Sequence, residues 1–360
     1  MIAFIWQKDW SDLARLMVNR LIDAGHDVTT FVYGAKEQGG KNTGPSSIAA
    51  LSEQAVRASS LPAEIEGAQA ILTLLSTAQD IEDVYLGAGG IFENVDSTEL
   101  FIDLSTGTPK LSKEIYALAA VHDYRFVEAP VDGYVDYVQT GKYRLYAAGE
   151  PDNLTAASEI LNTLSSEVIE VGLPGTGVAM KLASQIALAG AMLGLVEAIS
   201  FALISGVEKE RLIEVMGESP YGSVLAQAFG KRIIDEDFCY GMDLSRFFND
   251  LEKSLAAADE SGLALPGLEA AHQLYDLLLL VGGGQKGIYA LALIYYDEER
   301  CAKHGLNWAL AQKAMDVYER AGEDGYDDYY SDDDECDDPD CNHHHGDEDP
   351  PNIGRYFSHN

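Results

Sequence analysis

Basic residues are scarce in this chain. Only 24 Lys and Arg stand against 59 Asp and Glu in 360 residues, a formal charge of −35, and so negative a molecule repels the phosphates of nucleic acid and of anionic membranes. No nucleic acid and no membrane is expected as a partner. Cysteine is sparse too, and the four present, Cys239, Cys301, Cys336 and Cys341, are too scattered for a disulfide scaffold. The opening residues lack the apolar stretch of a secretory leader, since Gln7, Lys8 and Asp9 interrupt it early. A cytoplasmic protein is expected. Disorder is excluded for the body, because a hydrophobic share of 47% fills a real core.

One long apolar run is present. From Leu182 to Val207 the only charge is Glu197, and that length suffices to span a bilayer. Its richness in Ala, Gly and Ser, with no second span beside it, favours a helix buried all round inside a large soluble protein.

The first half alternates between two periodicities. Ile2 to Trp6, Val28 to Tyr33, Ala70 to Leu75, Leu100 to Leu104, Arg125 to Glu128, Leu145 to Ala148 and Val168 to Val171 read as short buried strands. Helical stretches lie between them at Leu13 to Ala24, Gln79 to Leu86 and Lys110 to His122. That order predicts an α/β fold, a Rossmann-type doubly wound parallel sheet over residues 1–173. From Gly177 onward the strand signals vanish. Helices are expected at Val178 to Ser205, Glu208 to Gly217, Leu244 to Ser261, Leu268 to Leu280 and Gly287 to His304, giving an all-helical C-terminal domain over 174–322. Residues 323–360 form an acidic tail. From Ala321 to Asn360 there are fourteen Asp and Glu and one Arg, a composition that stays solvated. The tail holds Cys336, Cys341 and His343 to His345, a spacing outside the usual zinc patterns, so no metal site is predicted.

The turn after the first strand is where a doubly wound sheet receives a dinucleotide pyrophosphate. Here it reads Trp6-Gln7-Lys8-Asp9-Trp10-Ser11-Asp12 and contains no glycine; Ala14 is the one position that suits helix packing. The end of the second strand, Val32-Tyr33-Gly34, has neither an acid for a ribose hydroxyl nor an arginine for a 2′-phosphate, although Lys36 is near.

Later motifs form an ordered series. Asp103-Leu104-Ser105-Thr106-Gly107-Thr108-Pro109 resembles the D-x-S-T-x-x-P of the 3-hydroxyisobutyrate dehydrogenase-like (β-hydroxyacid dehydrogenase) family. Glu128 to Tyr134 is similar to its D-A-P-V-S-G-G loop, and Gly175 to Gln185 to its G-x-G-x-x-x-K-x-x-N-N helix. Asn249-Asp250-Leu251 stands where the family has K-D-L, Gly262 to Pro266 matches its G-x-x-x-P, and Leu21 to His26 matches the end of its first helix. The loop Gly282-Gly283-Gly284 is kept, while Gly287 and Tyr289 stand in the later G-x-G-x-x-D-x-S stretch where Asp and Ser are expected.

The resemblance implies hydride exchange between NAD or NADP and a small hydroxyacid or aldehyde. Lys181 carries over as the proton donor and acceptor at the carbinol oxygen, and Gln185, one helical turn on, stands where the family has Asn. Asp132, Gly133 and Tyr134 are the expected substrate contacts. Unless Asp132 takes up a proton or pairs with Lys181, it repels a carboxylate, which points to a neutral or cationic substrate. Cofactor contacts are expected at Ser11, where the first helix begins, at the strand ends Leu75, Ser76 and Thr106, and at Asn249. Two other readings stay open: a binding or scaffolding pseudoenzyme whose cleft is filled by Trp6, Trp10, Tyr33 and Tyr134, and an enzyme using another ligand on the same scaffold. The resemblance implies pairing of two copies through the helical domain, and the apolar faces at Leu277 to Val281 and Ile288 to Tyr296 suit such a seam and the core of a single copy equally.

Overall fold

The computed structural model describes residues 1–33, 55–56, 65, 67–87, 90–95, 98, 100–133, 142–220, 223–239 and 244–314. Residues 1–311 form one compact unit. Strand β1 (Ile2–Gln7) alternates its apolar side chains between two layers, Ile2, Phe4 and Trp6 on one face and Ala3 and Ile5 on the other. Both faces of the sheet are therefore buried, the condition that selects a parallel sheet under helices. Helix α1 (Ser11–Asp23) lays Leu13, Ala14, Met17, Val18 and Leu21 on the first face at helical spacing. Strands β2 (Val28–Tyr33), β3 (Ala55–Val56), β4 (Ala70–Leu74), β5 (Leu100–Asp103) and β6 (Arg125–Glu128) follow, with α2 (Ala78–Tyr85) and α3 (Pro109–Val121) between the later ones.

The strand order is β3-β2-β1-β4-β5-β6-β8-β7. β1 pairs in parallel with both β2 and β4, so the chain reverses direction of travel across the sheet at β1 and β4. A crevice opens at the carboxyl ends of strands at such a switch. The expected parallel sheet holds for the first six strands. β7 (Val131–Asp132) and β8 (Arg144–Ala148) depart from it: β8 runs antiparallel to β6 and β7, and β9 (Glu167–Gly172) lies parallel to β8 after helix α4 (Pro151–Leu164).

The long apolar run is one helix, α5 (Thr176–Ile204). It is not buried on all sides as expected. One face packs against α7 (Leu244–Glu260), α8 (Pro266–Leu280) and β8, while Phe201 is 74% exposed and Ile204 84%. Its buried residues, among them Leu188, Met192, Val196 and Ile199, recur at helical spacing and so occupy one face of α5. Helix α6 (Lys209–Glu218) follows it. The single helix expected over Gly287 to His304 is instead a 3₁₀ segment at Ile288–Tyr295 and a separate helix α9 (Glu298–Lys303), because Asp297 caps a new start by accepting from the Arg300 N–H.

Candidate active site

The position of Lys181 is fixed by the start of α5. Gly175 precedes the helix with φ at +93°, where a side chain would be strained. The buried carboxylate of Glu128, at the end of β6, then accepts the backbone N–H groups of Gly175 at 2.9 Å, Gly177 at 2.6 Å and Val178 at 3.2 Å, and the Ser112 hydroxyl also donates to it. This satisfies the unpaired donors that open any helix and ties α5 to the sheet. Burial nevertheless pushes the Glu128 carboxyl up to about 7, against the pull of those three donors.

One turn into α5, Lys181 is only 3% exposed. Its ammonium lies 3.2 Å from Asp132 Oδ1 and 3.5 Å from Asp250 Oδ2. Asp132 is also held by Gln185 Nε2 at 3.0 Å, Ser184 Oγ at 3.1 Å and Tyr146 OH at 2.8 Å. Lys181 and Gln185 are thus brought together as expected, but through Asp132 between them. The expected repulsion between Asp132 and a substrate carboxylate is offset, since Asp132 is paired with Lys181. Gly133 lines the cavity; Tyr134 lies outside the described residues.

That cavity, about 430 Å³, sits at the β1/β4 switch. Leu75, Ser76, Thr106, Lys181 and Asn249 line it, all expected positions. Lys253 lines it as well, and sequence reasoning passed it over. Its ammonium donates to the Ser76 carbonyl at 3.1 Å and lies 3.8 Å from Asp250 Oδ1, while Asn249 Nδ2 reaches the same carbonyl at 3.4 Å. Burial lowers the Lys253 ammonium below the usual lysine range, with the nearby Lys181 charge acting the same way. The available signal was spacing: Lys253 follows Asn249 by four residues, on the same helical face. Beneath the strand ends, Asp103 accepts from Thr73 Oγ1 at 2.8 Å and from the Ser105 N–H at 3.0 Å, and burial pushes its carboxyl up to about 6. The Ser105 hydroxyl in turn accepts the Leu75 N–H at 2.8 Å.

The glycine-free turn becomes a short 3₁₀ turn, Lys8–Trp10, leading into α1. Asp9 and Trp10 reach the cavity wall; the Ser11 side chain lies outside the described residues. Gln7 accepts the Ser76 N–H, and Arg246 of α7 donates to the Asp9 carbonyl. The expectation of a cleft filled by several aromatic rings is corrected in part: Trp6 is buried in one cluster with Leu13 and Ala14 of α1, and of the three described rings, Trp6, Trp10 and Tyr33, Trp10 alone lines the cavity. Tyr289 is buried and donates to the Asp237 carbonyl at 2.8 Å, a packing role. Among the described residues no group of three His, Cys, Asp or Glu is set to hold a metal ion; the Cys336 to His345 cluster lies outside them.

Comparison with known proteins places this geometry among relatives. Residues 15–172 match the NAD binding domain of 6-phosphogluconate dehydrogenase, and residues 175–295 the NAD-binding domain of NADP-dependent 3-hydroxyisobutyrate dehydrogenase. The first match begins just after the glycine-free turn. The chain is 30% identical over 283 residues to a 3-hydroxyisobutyrate dehydrogenase-like protein of Arabidopsis thaliana, covering 78% of this chain and 81% of that one. It is 32% identical over 256 residues to the mitochondrial 3-hydroxyisobutyrate dehydrogenase of Mus musculus, covering 69% and 76%. In fold it resembles a Mycobacterium tuberculosis 3-hydroxyisobutyrate dehydrogenase solved with L-serine, at a TM-score of 0.65 and 20% identity over 81% of this chain and 98% of the other.

Proposed function

Because the chain belongs to the 3-hydroxyisobutyrate dehydrogenase-like family of NAD(P)-dependent oxidoreductases, we propose that it moves hydride between a nicotinamide cofactor and a small carbonyl or alcohol, with Lys181 as general acid and base. The observation that carries this reading is a buried ammonium on the wall of the switch-point cavity, held between two carboxylates. The residues fit the cofactor: Ser76 and Thr106 stand beyond the strand ends and Asn249 on the facing helix α7, around the space its nicotinamide half would fill, and the turn into α1 opens on the same cavity. When bound, the nicotinamide supplies or accepts the hydride.

The rest is the work of the chain's own side chains. Reduction of a carbonyl builds negative charge on oxygen; the Lys181 ammonium offsets that charge and hands a proton from Nζ to the oxygen. In the oxidative direction Nζ takes the hydroxyl proton. Asp132 and Asp250 fix the ammonium from two sides, and Gln185, Ser184 and Tyr146 fix Asp132 in turn. Such indirect support sets the geometry of the proton transfer.

The charge balance favours a substrate without a carboxylate. Lys181 and Lys253 are matched by Asp132 and Asp250, so these four groups have no net positive charge to offer an anion. A neutral aldehyde, ketone or alcohol, or a cationic imine, meets no such obstacle. Turnover with NADH and NADPH, measured on matched neutral, cationic and carboxylate substrates, tests this; a strong preference for the carboxylate sinks the substrate class, and no turnover on any member sinks the activity. The glycine-free turn favours a second reading, a binding protein on this fold that has lost the dinucleotide. Calorimetric titrations with NADH and NADPH that both stay silent would support it. The exposed apolar end of α5 at Phe201 and Ile204 supports pairing of two copies through the helical part, read out by sedimentation.

A further inference from the structure

Resting on the dinucleotide reading above, we infer that Arg246, seated on the Trp10 ring, is an anion clamp that takes the cofactor's pyrophosphate in place of a glycine-rich turn. The need for it follows from the sequence. A pyrophosphate requires donors or cations at the start of α1, and here that end carries Asp9 and Asp12 and no glycine. Trp10 is the residue before α1 and supplies no side-chain cap. Its bulk hinders the close backbone approach that glycines permit. Asp9 on the cavity wall repels an anion placed there, so positive charge must come from elsewhere.

It comes from the opposite wall. Arg246, in the first turn of α7, is half-buried and lines the cavity beside Asp9 and Trp10. Its guanidinium carbon lies 4.9 Å from the Trp10 ring centroid, and it donates to the Asp9 carbonyl. Both contacts hold the planar fork at the start of α1, and a fork already in place loses little freedom on gripping phosphate oxygens. Trp10 contributes the flat apolar surface against which the guanidinium rests. The Asp9 carboxylate is engaged on its own side by the Ser76 hydroxyl at 3.4 Å.

Calorimetry on the full-length protein tests the clamp with three ligands: NADH, NADPH and ADP-ribose, the last having the pyrophosphate without the nicotinamide. Arg246→Met is expected to weaken NADH and ADP-ribose alike, by about 10- to 100-fold. Arg246→Lys keeps the charge and loses the fork, and recovers part of that affinity. Trp10→Ala removes the ring that seats the guanidinium, and weakens both ligands by about 3- to 10-fold. Unchanged affinity for ADP-ribose in a folded Arg246→Met variant overturns the clamp and leaves the dehydrogenase reading standing. If Arg246→Met does not fold, wild-type affinity in both Arg246→Lys and Trp10→Ala overturns it equally. Failure of the unaltered protein to bind any of the three overturns clamp and cofactor together.

Discussion

The ammonium of Lys181 and the carboxylate of Asp132 face each other at 3.2 Å, both buried, one from the second turn of α5 and the other from the short strand β7. Neither element alone makes a reaction centre. The pair exists because Glu128 ties the start of α5 to the end of β6, three residues before β7 begins.

Removing the ammonium is the most direct test of the chemistry. Lys181→Met is expected to lower kcat by about 10²- to 10⁴-fold, the usual worth of a positioned proton donor. NADH affinity should stay within a few-fold of the original, because Ser76, Thr106 and Asn249 are untouched. Steady-state kinetics with parallel calorimetry checks both halves, and undiminished kcat removes Lys181 from the mechanism.

Asp132 should decide which substrates enter. Asp132→Ser removes a carboxylate and leaves the Lys181 charge free to meet a substrate anion. The ratio of kcat/KM for 3-hydroxyisobutyrate over a neutral diol of the same skeleton is expected to rise about tenfold or more. An unmoved ratio means that Asp132 serves the fold alone.

Glu128 should make stability depend on pH. Its carboxyl titrates near 7 in the folded protein against 4.5 as an isolated group. A raised acid contributes stability that is complete below the lower value and disappears as pH climbs through the upper one, an effect of about 3 kcal/mol across the window. Asp103, near 6, acts in the same direction lower down. Urea melts between pH 5 and 7.5 should therefore show stability falling as pH rises in the native protein and a flatter profile in Glu128→Gln. Equal slopes in the two proteins would count against a neutral native Glu128.

Gly177 tests the contact between helix start and sheet. A Cβ there would lie 2.5 Å from the Tyr146 carbonyl oxygen and 2.8 Å from Glu128 Oε1. Gly177→Ala is expected to destabilise by about 1–3 kcal/mol through overpacking. Gly190→Ala, in the same helix with nothing within 4 Å of the added atom, should instead stabilise by about 0.5–1 kcal/mol. Thermal melts of the two variants give opposite signs if the packing is as described.

Part of the cavity wall was legible in the chain before any coordinates. Lys181 was singled out because an ordered series of family-like motifs carries it, with the lone lysine opening an apolar helix pointing the same way, and Ser76 and Thr106 because they stand just beyond buried strands; all three line the cavity. Tyr146, Lys253 and Arg246 were not found. Tyr146 sits on a strand that the pattern marks as core, and nothing along the chain says that its hydroxyl reaches Asp132, fourteen residues earlier. Lys253 and Arg246 read as ordinary charges on an amphipathic helix, and only the docking of α7 over the β1/β4 crevice turns that face toward Ser76 and Trp10.

The sequence by itself determined the alternation of strand and helix, the change to helices after β9, the missing glycines of the first turn and the excess of negative charge. These are properties of neighbours along the chain, governed by periodicity and composition. Tertiary structure alone decided that Asp132 pairs with Lys181, that Trp6 turns into the core while Trp10 turns to the cavity, and that α5 leaves an apolar end uncovered. Those outcomes depend on contacts between residues dozens to hundreds of positions apart, where burial and charge compensation act on whatever the fold has brought together.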